Sequence, residues 1–157
     1  MTRTERMNML FAEDYRVIDF FPEMASYAEA GGFSDEVEQY YLQDRQLQQF
    51  CNQAISLVLK LLCCFPFEIY VKEITPLRMQ REGWLKDKRC ETIVRLLRKV
   101  ILKQKGQLDI LLPKENAIIS IPGGTLSIAV YHESPSLKRL LDEMVSAEGF
   151  YTWRFRV

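Results

Sequence analysis

A chain of 157 residues, of which 48% are apolar and 27% charged, has the size and composition of one globular domain, 1–157. Such a chain can fold without disulfides, metals or cofactors, and its net charge of zero disfavours a dedicated nucleic-acid-binding protein. The longest nearly apolar stretch, residues 54–67, is too short to span a bilayer, and no signal-peptide pattern opens the sequence, so we expect a cytoplasmic protein.

The first 66 residues predict a strand followed by one long helix. Residues 15–21 alternate loosely between apolar and polar and are stopped by a proline, which indicates a strand. Asp35 and Glu38 stand three positions apart, a capping-box arrangement that opens a helix. Apolar residues then recur every three or four positions as far as Pro66, which predicts one helix about 40 Å long. Its inner face is expected to carry Val37, Tyr40, Tyr41, Leu47, Cys51, Ala54, Ile55, Val58, Leu61 and Leu62.

The middle of the chain predicts a second strand and a second helix. Residues 67–73 alternate cleanly and indicate a strand. Residues 74–90 are polar and form a connector with Trp84 as its one large apolar anchor. Residues 91–104 have an apolar face and an opposite face of arginines and lysines, so we expect an amphipathic helix that Gly106 ends.

A hairpin dominates the C-terminal third. After a short strand over residues 107–112, two β-branched runs at 117–121 and 126–132 predict paired strands. The sequence Pro-Gly-Gly-Thr joins them. Proline suits the second position of a type II turn, and Gly123 is then expected to supply the positive φ that the third position requires.

The last segment predicts a helix and a closing strand. Ser134 is an N-cap with proline at the first helical position, and Gly149 is a natural helix end. Residues 150–155 alternate as a strand. The predicted fold class is therefore α+β, a single domain with a mixed or mostly antiparallel sheet on which one long and two shorter helices pack.

The sequence contains no recognisable catalytic motif. The only histidine, His132, alternates with Ile128 and Val130, so we expect it on their face of the strand, where packing is commoner than base catalysis. Phosphate-binding, zinc-protease and serine-hydrolase signatures are absent, as is a C-x-x-C pair. We therefore expect no enzymatic activity, no cofactor and no metal site. Three cysteines lie in an apolar helical pattern and are expected in the core: Cys51, Cys63 and Cys64.

Asp44 interrupts the apolar face of the long predicted helix. A carboxylate in that position is paired, lies at a helix break, or lines a cleft. The favoured interpretation is that Asp44 pairs with Arg45 or another base, or that helix burial begins only at Leu47. A catalytic role of Asp44 or His132 in a pocket is the alternative.

Charge is strongly segregated along the chain. Residues 1–44 hold ten acidic and three basic residues, a net charge of −7, whereas residues 78–105 hold ten basic and three acidic residues, a net charge of +7. The acidic third also carries several tyrosines and phenylalanines, the composition expected where a basic protein docks. We therefore predict a partner-binding surface at Asp35, Glu36, Glu38, Tyr40, Tyr41 and Asp44.

The basic helix 89–105 supports an alternative function. Arg95, Arg98, Lys99 and Lys103 could bind the phosphates of RNA or DNA in a small regulatory or nucleic-acid-associated module. No interleaved aromatic residues or RNP-like motif accompany them, so the solvated side of an amphipathic helix is the favoured explanation. Nothing in the sequence indicates a membrane or a small-molecule substrate as partner.

The C-terminal stretch LSIAVYHESPSLKRLLDEMVSAEGFYTW resembles the end of small bacterial immunity-like proteins of polymorphic toxin systems, over about a quarter of the chain. Residues 17–22, VIDFFP, look similar to the opening strand of the same group. His132 and Glu133 stand where that group has Asn-Pro. The resemblance implies a non-enzymatic inhibitor that masks a cognate toxin, and no catalytic residue. It depends on Val130, Tyr131, Pro135, Leu140, Leu141, Ala147, Glu148, Gly149, Phe150 and Trp153.

Overall fold

A computed structural model describes residues 1–12, 14–26, 32–72 and 82–156. These residues form one antiparallel seven-stranded sheet and five α-helices, which confirms the predicted α+β class. The strands are β1 Tyr15–Asp19, β2 Glu68–Lys72, β3 Gly83–Trp84, β4 Gln107–Leu112, β5 Ala117–Pro122, β6 Ser127–Tyr131 and β7 Tyr151–Phe155. The helices are α1 Arg3–Leu10, α2 Phe33–Tyr41, α3 Asp44–Leu62, α4 Cys90–Lys103 and α5 Pro135–Ala147, with a short 3-10 helix at Glu23–Ser26.

The strands lie in the order β3-β2-β4-β5-β6-β1-β7, and neighbouring strands run antiparallel. The first strand therefore lies between two strands from the end of the chain, with Val17 opposite both Ala129 and Trp153. Because successive side chains point to opposite faces, Ile18 lies on one face of the sheet and Val17 on the other.

The helices α3, α4 and α5 cover the face that carries Ile18, and the main core lies between these two layers. Alternation places many of the apolar strand residues on this face. Eight of the strand residues in this core are at most 1% exposed: Ile18, Ile69, Leu108, Ile110, Leu112, Ala117, Ile128 and Val130.

The helix α1, which the sequence analysis did not anticipate, covers part of the opposite face. Thr2 and Glu5 form a capping box that starts it, a signal readable in the sequence. Met7 and Leu10 pack in a second apolar cluster with Leu111 of β4, and with Ile118 of β5.

The prediction of one long helix is wrong, because the chain breaks it at Leu42 and Gln43 into α2 and α3. Gln43 is extended and Asp44 has a φ of 35°, so the two helices cannot be continuous. Only α3 buries its stripe, starting at Leu47, whereas α2 has no buried residue. The apolar periodicity of the sequence continues across the break, because Tyr40 and Tyr41 have the spacing of core residues although neither is fully buried.

Two details of the hairpin differ from the prediction. The positive φ of 87° belongs to Gly124 rather than to Gly123. Gly123 is needed for another reason, since a Cβ atom there would lie 2.5 Å from the backbone nitrogen of Lys105, just past α4. The Gly123 N–H donates to the Gly106 carbonyl at 2.8 Å, so the turn is fixed against the chain that leaves α4.

Candidate functional site

The predicted partner-binding residues lie mainly on α2. Asp35 and Glu36 are exposed, and Glu38 is half-buried on the same helix. Tyr40 is 54% exposed, and its hydroxyl accepts a hydrogen bond from Gln46 Nε2 at 2.9 Å. These residues share an element that contains no arginine or lysine, so the acidic character expected from the sequence is present at one place on the surface.

Aromatic rings connect α2 to the sheet. Tyr41 packs against Phe20, which follows β1, with ring centroids 4.4 Å apart. Phe20 in turn contacts Phe21 edge-on at 5.2 Å, and Tyr40 contacts Tyr41 edge-on at 5.1 Å. Such ring pairs fix the orientation of a helix that has no fully buried residue of its own. Tyr41 is thus half-buried and structural, while Tyr40 remains accessible.

The sequence analysis missed one exposed aromatic residue in this region. Phe33 begins α2 and is 71% exposed, and Met24 on the preceding 3-10 helix is 77% exposed. Large apolar side chains in an acidic neighbourhood are typical of binding surfaces. Phe33 follows Gly-Gly in the sequence and stands four residues before Val37, so it continues the apolar spacing of the predicted helix. We call the exposed residues Phe33, Asp35, Glu36 and Tyr40, together with the half-buried Glu38, the acidic surface.

Asp44 lies apart from the acidic surface. It is exposed at the start of α3 and lines a separate hollow of about 420 Å³ that also contains Gln48 and Gln104. Burial on α3 begins at Leu47, as the favoured interpretation of Asp44 required, and Asp44 sits at a helix break. The positive φ of Asp44, a conformation that aspartate adopts more readily than most residues, explains why a carboxylate interrupts the apolar pattern here. Its role in partner binding stays a prediction.

The four basic residues of the alternative interface share one helix. Arg95, Arg98, Lys99 and Lys103 are exposed on α4, beside an open groove of about 850 Å³ that includes Val94 and Leu102. The opposite side of α4 is buried in the core through Ile93, Leu97, Val100 and Ile101, all at most 3% exposed. The bases therefore lie on the solvent side of a helix that the core requires.

His132 does not lie on the face predicted for it. The strand β6 ends at Tyr131, and His132 adopts a φ of 57° that turns its side chain into solvent. The carboxylate beside it is already committed, because Glu133 accepts from Arg16 at 3.0 Å and from Arg154 at 3.3 Å. These bonds tie the start of α5 to β1 and β7. Glu133 is thus engaged in holding strands together.

The cysteine prediction is correct for one residue of three. Cys51 is fully buried on α3, where burial raises the pKa of its thiol and the nearby charge of Arg98 opposes that shift. Cys63 and Cys64 are exposed, because α3 ends at Leu62 and the apolar pattern no longer applies.

A pocket on the sheet face opposite α3 was also not anticipated. It has a volume of about 320 Å³ and is lined by residues from β1, β4, β5, β6 and β7, including Asp19, Ser120 and Trp153. Strands that are distant in the sequence form it together, so the sequence alone could not place it.

Among the described residues, no group of three or more His, Cys, Asp or Glu side chains could hold a metal ion. None of the described helices combines the length and hydropathy needed to cross a lipid bilayer. Comparison of the chain with protein-family models, with curated proteins and with solved structures found no match. We therefore infer function from the surfaces that the fold creates.

Proposed function

We propose that this protein is a cytoplasmic, non-enzymatic binding protein, an immunity-type inhibitor that masks a basic surface of a cognate protein toxin. The acidic surface makes the contact. The observation that carries the proposal is that α2 buries none of its nine residues, yet displays Phe33 and Tyr40 among three carboxylates. Folding alone does not require this combination of side chains.

The chemistry of the acidic surface favours a protein partner with basic groups. Phe33 and Tyr40 offer apolar area for the centre of an interface, where aromatic residues are enriched. Asp35, Glu36 and Glu38 give the same helix negative charge, which attracts a basic protein and disfavours phosphate-bearing ligands. The half-buried Tyr41 and its ring contact with Phe20 hold the helix in place, so little conformational entropy is lost when a partner binds.

The resemblance to immunity-like proteins is compatible with this division of roles. Several of the matched residues occupy structural positions: Val130, Leu141 and Phe150 are buried, and Gly149 has a φ of 82°. Such residues maintain the fold, and recognition is then left to surfaces elsewhere. The acidic surface lies outside the resembling stretch, as a surface adapted to one particular toxin would.

The test is a pull-down with the protein encoded by the neighbouring gene, together with rescue of cells that express that protein. Wild-type protein is expected to form a complex and to restore growth. A variant with Phe33→Ser, Asp35→Asn and Glu36→Gln should lose both, whereas a matched variant with Arg95→Gln, Arg98→Gln and Lys99→Gln should keep both. If wild-type protein forms no complex and gives no rescue, the proposal is rejected.

A second candidate, a nucleic-acid-associated module, is favoured by one observation. Arg95, Arg98, Lys99 and Lys103 are exposed along a single helix, α4. If α4 binds phosphates, fluorescence anisotropy with mixed RNA or DNA should show binding at low salt that weakens steeply as salt is added. Flat anisotropy curves at low salt would reject this candidate.

A further inference from the structure

The sheet-face pocket, the 320 Å³ hollow between the strands and the chain that leaves α1, has the chemistry of a site for a cation. Three aromatic rings form one side of it, and the Lys72 ammonium of the chain itself lies over one of them, 5.2 Å from the centroid of Phe11. Tyr131 contacts Phe11 edge-on, with centroids 5.1 Å apart, and Tyr15 at 5.0 Å. The described lining contains no arginine or lysine. Aromatic faces attract ammonium and guanidinium groups within about 6 Å.

Two carboxylates on this sheet face differ in how they are compensated. Asp109 is fully buried, and it accepts from Ser120 Oγ and from Gln107 Nε2, each at 2.7 Å. The Lys72 ammonium lies 3.1 Å from its other oxygen. A buried charge is tolerated when it is paired and hydrogen-bonded in this way. The positive charge of Lys72 therefore compensates the negative charge of Asp109.

Asp19 has no such cation among the described residues. One of its oxygens accepts the Phe21 N–H at 3.1 Å. Burial raises the pKa of its carboxyl group, and the negative charge of Glu38 adds to that effect, against the opposing hydrogen bond from Phe21. Asp19 therefore lies in the pocket as a partly buried carboxylate without a positive partner.

Trp153 adds a second unsatisfied group at the same end of the pocket. Its indole N–H lies near enough to Asp19 to lower the pKa of that carboxyl group. The indole nitrogen is nevertheless buried and makes no hydrogen bond of normal geometry within the described chain. Buried polar atoms without partners are uncommon and call for an explanation. An ammonium or guanidinium group has no acceptor atom, so this N–H requires an acceptor elsewhere on a bound segment, such as a backbone carbonyl oxygen.

We propose that the sheet-face pocket binds the cationic end of an arginine or lysine side chain, with its charge on Asp19, in the hollow that Tyr15 and Tyr131 also line. The side chain belongs to the protein partner, so this inference rests on the proposed function. A volume of about 320 Å³ is at the lower end of small-molecule pockets and suits one long side chain.

The pocket borders the acidic surface, which is why one partner can occupy both. Glu38 of α2 is close enough to influence Asp19 electrostatically. A basic segment lying across α2 would thus reach the pocket with a neighbouring side chain.

The test uses the two tryptophans of the 157-residue chain as separate probes. In a ¹⁵N-labelled sample, the indole signal of Trp153 reports on the pocket, while that of Trp84, which donates to Thr4 Oγ1 at 3.1 Å, reports on a remote site. A Trp84→Phe variant assigns the two signals. The probes are N-acetyl-arginine amide and its uncharged isostere N-acetyl-citrulline amide.

The arginine probe is expected to shift the Trp153 signal saturably with a Kd on the order of 1 mM, and to leave Trp84 unchanged. The citrulline probe should bind at least tenfold more weakly, a comparison that needs no variant. Asp19→Asn keeps the oxygen that accepts the Phe21 N–H but removes the charge, so it should also lower affinity tenfold or more. The matched variant Asp35→Asn should bind the probe as wild type does.

The outcomes separate this inference from the proposed function. No shift of Trp153, equal binding of both probes, or unchanged binding by Asp19→Asn would each overturn the pocket assignment. Agmatine binding tenfold tighter than the blocked arginine would overturn the assignment to a partner side chain. A third outcome is that the protein forms no complex with the neighbouring gene's product but still binds the arginine probe. That result would overturn the proposed function and leave a cation-binding pocket.

Discussion

The helices α2 and α4 carry opposite charges and relate to the core in different ways. Of the 14 residues of α4, five are buried, and its arginines and lysines occupy the side that faces solvent. The nine residues of α2 include no buried one, and its exposed side presents aromatic rings as well as acids. An amphipathic helix needs charges on its outer side for solubility. Exposed aromatic residues have no such explanation.

The two charged segments of the sequence therefore differ in how their charges relate to the core. Four of the ten bases of the +7 segment lie on α4, a helix with one side in the core. Three of the ten acids of the −7 segment lie on α2, which has no buried residue. Each prediction below tests whether α4 is chiefly structural and α2 chiefly functional.

The largest effect is expected from Leu97→Ala on α4. Leu97 is 0% exposed, so its loss removes apolar burial and leaves a cavity beneath the helix. The free energy of unfolding should fall by about 2–5 kcal/mol, measured by urea denaturation. A loss below about 1 kcal/mol would mean that α4 is not fixed in the core as described.

A smaller loss is expected from Gly123→Ala, which tests how the end of α4 is held. The new methyl group would meet the backbone of Lys105 at 2.5 Å, so the turn or the chain after α4 must move. Overpacking of this kind costs about 1–3 kcal/mol in the free energy of unfolding. The matched variant Gly32→Ala has open space around it and should cost less. Equal stability of the two variants would contradict the close approach.

Asp19→Asn is expected to raise stability modestly at neutral pH. The folded-state pKa of Asp19 lies above its ordinary value, mainly through burial, so ionisation costs the folded protein stability as pH rises through that pKa. The gain should appear in urea midpoints at pH 7 and shrink as pH falls through that raised pKa, because the protonated carboxyl group resembles the amide. A loss of stability at pH 7 would show that the charge is compensated in the folded protein.

The smallest effect on stability is expected from Phe33→Ser on α2. The ring is 71% exposed and belongs to neither apolar cluster, so the free energy of unfolding should change by less than about 0.5 kcal/mol. Affinity for the toxin should nevertheless fall about fivefold or more if Phe33 is an anchor. A large loss of stability would assign Phe33 to the fold instead.

Local patterns in the sequence predicted much of the fold. The strand β4 occupies the predicted residues 107–112, and Ser134 caps α5 through a bond from the Leu137 N–H at 3.2 Å. The break at Asp44 was only one of three explanations that the sequence offered, because apolar spacing continues across it and only tertiary packing shows that Tyr40 is not buried. The helix α1 could have been found from its capping box.

The acidic surface was largely predictable and the sheet-face pocket was not. Asp35, Glu36 and Glu38 lie close together in the sequence, and a helix keeps them together in space. The pocket instead depends on β1 lying between β6 and β7, which brings Asp19 beside Trp153 across more than a hundred residues. No local pattern contains that information.

Association kinetics with the neighbouring gene's product, measured at low and high salt, test directly whether α2 is the binding surface. An α2 variant with Asp35→Asn, Glu36→Gln and Glu38→Gln is compared with an α4 variant with Arg95→Gln, Arg98→Gln and Lys99→Gln. We predict that the α2 variant associates about tenfold or more slowly at low salt, and that the α4 variant associates as wild type does. Slower association of the α4 variant alone would contradict the claim that α2 is the binding surface.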